Sequence, residues 1–129
     1  MKRETWLPAV PASVRAARSV VWQAATEAGL DDGRSWDLML ATSEAVANAV
    51  QHGAALPNHR ILLTTTRCAR GLRVEVCNRG TFNGAPKPAA LKATSGRGIQ
   101  IIAAVVDRLE VKNGNDLTVV RFEKDAAPG

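Results

Sequence analysis

The chain has no tyrosine, and only three tryptophans and two phenylalanines among its 129 residues. Proteins that bind single-stranded nucleic acid stack bases on aromatic rings, so this shortage argues against such a surface. The distribution of basic residues argues the same way. Seventeen Lys and Arg against twelve Asp and Glu give a formal charge of +5. The basic side chains are scattered singly (Arg15, Arg18, Arg34, Arg60, Arg67, Arg97 and others), and no helix collects them. Direct nucleic-acid binding is therefore not expected, and an anionic ligand or an acidic protein partner accounts for the balance as well. Cysteine is nearly missing too. Cys68 and Cys77, both in strand-like sequence, form neither a disulfide framework nor a metal motif, and they read as free, buried thiols of a cytoplasmic protein. No apolar run is long enough to cross a membrane. Met1-Lys2-Arg3-Glu4-Thr5-Trp6 lacks the apolar core of a secretion signal.

Low-complexity sequence is also absent, and 46% of the residues are hydrophobic. One domain with a real core is expected over residues 1–124, followed by a short flexible tail at 125–129. Its centre is the stretch Ser43-Glu44-Ala45-Val46-Ala47-Asn48-Ala49-Val50-Gln51-His52-Gly53. This lies in a run from Arg34 to His52 without proline or glycine. Leu38, Met39, Leu40, Ala45, Val46, Ala49 and Val50 cover most of the helix that the run predicts. Glu44, Asn48 and His52 recur every fourth residue and so stack along one side, about 6 Å apart per step. A polar stripe on an otherwise apolar helix is either a solvated face or the wall of a cavity. Buried charge is costly unless it is paired or used. Carboxylate, carboxamide and imidazole are also the groups that orient a water or hold a metal.

The remaining elements follow from periodicity and punctuation. Arg3 to Leu7 predicts a first strand stopped by Pro8 and Pro11, and Val14 to Ala28 a helix capped by Ala12-Ser13 and ended by Gly29. Asp32 or Ser35 is expected to cap the central helix. His59 to Cys68 and Leu72 to Asn78 alternate as two strands joined at Ala69-Arg70-Gly71. Arg79 to Ser95, interrupted by Gly80, Gly84 and Pro86-Lys87-Pro88, reads as a loop of about fifteen residues, and loops that long in a compact domain are usually functional lids or disordered. Ser95-Gly96-Arg97-Gly98 opens an apolar helix that ends near Asp107. Leu109 to Lys112 and Leu117 to Glu123 form a last hairpin. The order predicts a two-layer α/β sandwich: a mixed, mostly antiparallel sheet of four or five strands with three helices on one face. A glycine-opened helix is also a plausible phosphate seat, although glycines before a helix serve turn geometry more often.

A polar-striped helix, a strand ending in an amide and a glycine, a long loop and a glycine-opened helix, in that order, resemble the GHKL ATPase superfamily. Within it they resemble the small bacterial anti-sigma factor serine kinases. The resemblance runs from Leu7-Pro8 to Phe122. Its most specific part is the Ser43 to Gly53 stretch, which looks like the family's Glu-x-x-x-Asn-Ala-x-x-His-Gly box. It implies a Bergerat-type ATP-binding fold, Glu44 as general base, and Asn48 as the ligand of a Mg²⁺ that bridges the phosphates of ATP. His52 would organise the helix end. Gly96-Arg97-Gly98-Ile99 resembles the second glycine box, and Thr118 the threonine that supports adenine recognition. Asn78-Arg79-Gly80-Thr81-Phe82 stands where the family has Asp-x-Gly-x-Gly, so Asn78 replaces the aspartate and Phe82 the second glycine. The implied function is a cytoplasmic partner-switching regulator. It would bind a sigma factor and phosphorylate a serine of an anti-anti-sigma protein of the STAS type, with Arg18, and Arg15 beside it, on the partner surface and a homodimer possible. The two departures leave an alternative, a non-catalytic binding module of the same fold with weakened nucleotide binding.

Overall fold

Residues 1–53, 59–79, 98–113 and 117–126 are described by a computed structural model, with backbone alone at His52, Gly53, Arg79 and Asn113. The elements are β1 (Lys2–Pro8), α1 (Ala12–Glu27), α2 (Asp32–Gly53), β2 (Arg60–Arg67), β3 (Gly71–Arg79), a helix α3 (98–105), β4 (Arg108–Asn113) and β5 (Leu117–Asp125). The five strands form one sheet in the order β1-β2-β3-β5-β4. Among the described residues all four strand pairings are antiparallel. With three helices it makes the expected two-layer α/β sandwich.

Alternation in the strands decides which face the helices cover. Ile61, Leu63, Leu72, Val74, Val76 and Phe122 are all nearly inaccessible and stand at every second position of their strands. Cross-strand register gathers them into rows, Thr65–Val74–Phe122 and Leu63–Val76–Val120. Against these rows α1 sets Ala17, Val21, Ala24 and Ala25, and α2 sets Leu38, Ala41, Ala45, Val46 and Ala49. Small residues on both helices let their backbones approach closely. The opposite sheet face carries ion pairs: Glu123 joins Arg73 and Arg108, and Arg121 joins Glu75 and Glu110.

The helix ends differ from expectation in instructive ways. Pro11 stands at the α1 N-cap without a side-chain bond, and Ser13 instead donates its hydroxyl hydrogen to the Pro8 carbonyl at 2.6 Å. Asp31, not Asp32 or Ser35, caps α2, its Oδ1 accepting from the Arg34 amide at 2.8 Å. Ser35 is one turn too deep for that task and is buried. Gly29 ends α1 as expected, at φ +86°, with the Leu30 amide bonded back to Ala25 O at 3.0 Å. The two cysteines are thiols but half-buried rather than buried. At the other end, residues 125 and 126 are not loose: Asp125 belongs to β5, and the Ala126 amide donates to Arg70 O at 2.7 Å.

Candidate functional site

The two glycine- and amide-bearing motifs of the sequence meet in space. A side-chain carbon built on Gly98 would lie 2.7 Å from Asn48 Nδ2, 3.6 Å from its Cγ and 3.6 Å from Glu44 Oε1. The start of the described α3 helix therefore touches the polar stripe of α2, and no other residue type leaves that room. Glu44 and Asn48 are half-buried, as the wall of a partly open site would be.

Lys124 secures this meeting from the far side. Its ammonium group donates to Val105 O at 2.8 Å, near the end of α3, and lies 3.0 Å from Asp37 Oδ2 in the early part of α2. With both helices held there, α3 runs back along α2 until Gly98 reaches Asn48. Asn48 is eleven residues beyond Asp37, about 16 Å at the helical rise. Thr118 is six residues before Lys124, about 20 Å at the strand rise.

At that end the inner face turns polar. Register places Asn78 directly between Ile61 and Thr118. Asn78 is 6% exposed, and its Oδ1 lies 3.0 Å from Nε2 of His59, which is also buried. A carboxamide oxygen only accepts, so the imidazole nitrogen donates. His59 did not figure among the candidate residues. The signal was there: the inward alternation of Ile61, Leu63 and Thr65, extended back two residues, lands on His59.

Of the remaining candidates, Gly80, Gly96 and Arg97, with Phe82 and the whole 80–97 segment, lie outside the described residues, as does the His52 side chain. Arg15 and Arg18 lie apart from Gly98, on α1. Arg15 is exposed, and half-buried Arg18 lines a shallow cleft with Trp36, Asp37, Met39, Leu40 and Ser43. Trp36 is 56% exposed and packs edge-on to Trp22, with ring centres 6.1 Å apart.

Glu44 and Asn48 offer oxygen donors one helical turn apart. Among the described residues no three His, Cys, Asp or Glu side chains gather into a metal cage. This donor set fits a small hard cation that arrives with phosphate oxygens and takes one or two ligands from the protein, as magnesium does.

The two-layer sandwich thus carries a polar-striped helix with a glycine seated against it and a buried polar pair on its sheet. The chain belongs to the family described as the histidine kinase-like ATPase domain, whose profile matches residues 7–124. Among solved structures it is similar to the RsbU and RsbW domains of Rv1364c from Mycobacterium tuberculosis, with a TM-score of 0.73 and 22% identity. That match covers 100% of this chain and 34% of the other, so the chain spans about a third of that neighbour's length. The likeness establishes the fold. No curated protein matches the sequence. No described helix is long and apolar enough to cross a membrane.

Proposed function

We propose that this chain is a single ATP-binding domain, residues 1–124, of a cytoplasmic partner-switching regulator. It binds a sigma factor and phosphorylates a serine on an anti-anti-sigma protein of the STAS type. The observation that carries the reading is the contact of Gly98 with Asn48 and Glu44, because it joins a phosphate seat to a base and a cation ligand. Glu44 is the general base for the attacking hydroxyl. Asn48 holds the magnesium ion, which when bound supplies charge neutralisation on the phosphates. Gly96, Arg97 and Gly98 seat the phosphates, while Asn78, Gly80 and Thr118 receive the base. Phosphoryl transfer asks little covalent chemistry of the protein, so positioning and electrostatics do most of the work. Arg18 and Arg15, in and beside the Trp36 cleft, face the protein partners, and a homodimer is compatible with this arrangement.

The bond between His59 and Asn78 favours a second reading. One acceptor position of Asn78 is already occupied, which weakens adenine recognition and suits a binding module that has lost turnover. Calorimetric titration with Mg-ATP and Mg-ADP separates the two. Dissociation constants in the micromolar range, about −8 kcal/mol, support the kinase reading. Absence of heat at millimolar nucleotide supports the module.

A further inference from the structure

We propose that Lys124 is a positioning residue of this site: from the end of β5 it holds the last turn of α3, and through that helix it sets how closely Gly98 sits against Asn48. The proposal rests on the nucleotide reading above and concerns only how the phosphate seat is held.

α3 is too short to hold its own direction. The described helix has eight residues, 98–105, and helices shorter than about 12 residues are marginal on their own in water. Its direction is therefore set by what it touches. Ile102, fully buried, anchors its middle, and Ile99 and Val105 pack less completely against the core. Three consecutive residues of β5 tie down its C-terminal end. The Asp107 amide donates to Glu123 O at 2.9 Å, the Lys124 ammonium to Val105 O at 2.8 Å, and the Asp125 amide to Asp107 Oδ2 at 2.7 Å. Of these bonds, the one from Lys124 reaches the helix itself, and the other two hold the residue two places beyond it. Val105 O is among the last four carbonyls of the helix, which find no partner within it. A cation there satisfies that oxygen and meets the negative end of the helix dipole. Asp37 Oδ2, 3.0 Å from the same ammonium, fixes it in turn to α2, and the Lys124 side chain is 14% exposed.

This arrangement is a lever. Gly98 lies four residues before Ile102 and Val105 three residues after it, about 6 Å and about 4.5 Å at the helical rise. A tilt about the buried Ile102 that moves the Val105 end by about 1 Å therefore moves Gly98 by about 1.3 Å the other way. Gly98 has no such slack, since the side-chain carbon it lacks would already lie 2.7 Å from Asn48 Nδ2. A tilt toward α2 drives its backbone into the Asn48 carboxamide, and a tilt away opens the seat. Misplacement by about 1 Å is enough to cost a positioned group as much as about 100-fold in rate. Val105 is about 10 Å from Gly98 along the helix, so Lys124 acts on the seat through α3.

The test compares the full wild-type chain with Lys124→Met and Lys124→Arg. Methionine keeps an apolar stem and removes the charge and the donors, whereas arginine keeps both. Amide spectra are recorded by NMR without nucleotide, and Mg-ATP is then titrated by calorimetry. Lys124→Met should move the Gly98 backbone amide and the Asn48 side-chain amide while the Ile61, Leu63 and Val74 amides stay still. It should weaken Mg-ATP binding by about tenfold, and Lys124→Arg should return both readouts toward wild type. A purely structural role would lower the melting temperature and shift Val105 while Gly98 and Asn48 stay in place. That result would overturn the proposal, as would an unchanged Mg-ATP affinity in a Lys124→Met chain whose Gly98 amide has moved. If Lys124→Met does not fold, Asp37→Asn, which removes only the countercharge of Lys124, should move the same two signals by less; unmoved signals there overturn the proposal equally. If wild type binds no Mg-ATP, the nucleotide reading fails, and the nucleotide-free spectra still decide whether Lys124 sets the Gly98–Asn48 contact.

Discussion

Replacing Gly98 by alanine separates the site from the fold more cleanly than any other single change. The added methyl would arrive 2.7 Å from Asn48 Nδ2, closer than side-chain carbons approach nitrogen, while Asn48 Cγ and Glu44 Oε1 at 3.6 Å are ordinary contacts. Only the tip of Asn48 has to move. Overpacking of this kind costs about 1–3 kcal/mol where the surroundings are rigid, and less where a side chain can swing away. Alanine returns up to about 1 kcal/mol over glycine in a helix. The two terms nearly cancel, so the melting temperature should change by no more than a few degrees. Nucleotide binding should suffer far more, because the methyl both displaces the proposed magnesium ligand and occupies the phosphate approach. A loss of about 10–100-fold is expected, equivalent to about 1.4–2.8 kcal/mol. Thermal melting and calorimetry on the same sample read both numbers. Unchanged affinity with an unchanged melting temperature would refute the claim that the Gly98–Asn48 contact is the heart of the site.

Three further outcomes follow from the same structure. Glu44→Ala should leave nucleotide affinity nearly intact and cut phosphoryl transfer by about 10²–10⁴-fold; equal loss of both, measured by titration and radiolabel transfer, would remove Glu44 from the role of base. Arg18→Ala should weaken binding to co-purified protein partners without lowering the melting temperature, and unchanged affinity for each of them would return Arg18 to a solvated helix face. Burial raises the Glu123 carboxyl, but hydrogen bonds from Arg108 and Arg73 outweigh it and hold the group below the usual carboxylate range, and the Arg108 bond does the same for Asp125. A carboxyl depressed by folding stabilises above its unfolded pKa, and that contribution is lost as pH falls through the folded value. Melting temperature should therefore drop below about pH 4, and Arg108→Met should make the drop shallower; identical slopes would show that this network contributes nothing.

Much of the architecture was legible because it is written in local periods. The four-residue spacing of Glu44 and Asn48, the alternation of Ile61, Leu63 and Val74, Val76, and the glycine at 29 each act within a turn or a strand. What was not legible depends on register and on long-range contact. Nothing near Asn78 in the chain says that Thr118 will stand beside it; that follows only when β5 inserts between β3 and β4. His59 reads as the first residue of a strand until the buried row places it against Asn78. Lys124 sits just before the stretch that reads as a flexible tail, and its grip on Val105 and Asp37 has no sequence signature. The α2 cap was misplaced by one residue, since Asp31 and Asp32 are equivalent in sequence and only backbone geometry chooses between them.

The measurement that tests the central claim most directly is a nitrogen-resolved NMR titration of the labelled chain with Mg-ATP. The account predicts that the Gly98, Asn78 and Thr118 backbone amides and the side-chain amides of Asn48 and Asn78 shift together on one saturating curve, while Trp36 and Leu40 at the α1–α2 cleft stay still. Shifts confined to that cleft, or none at Gly98 and Asn48 when the nucleotide is in excess, would contradict it.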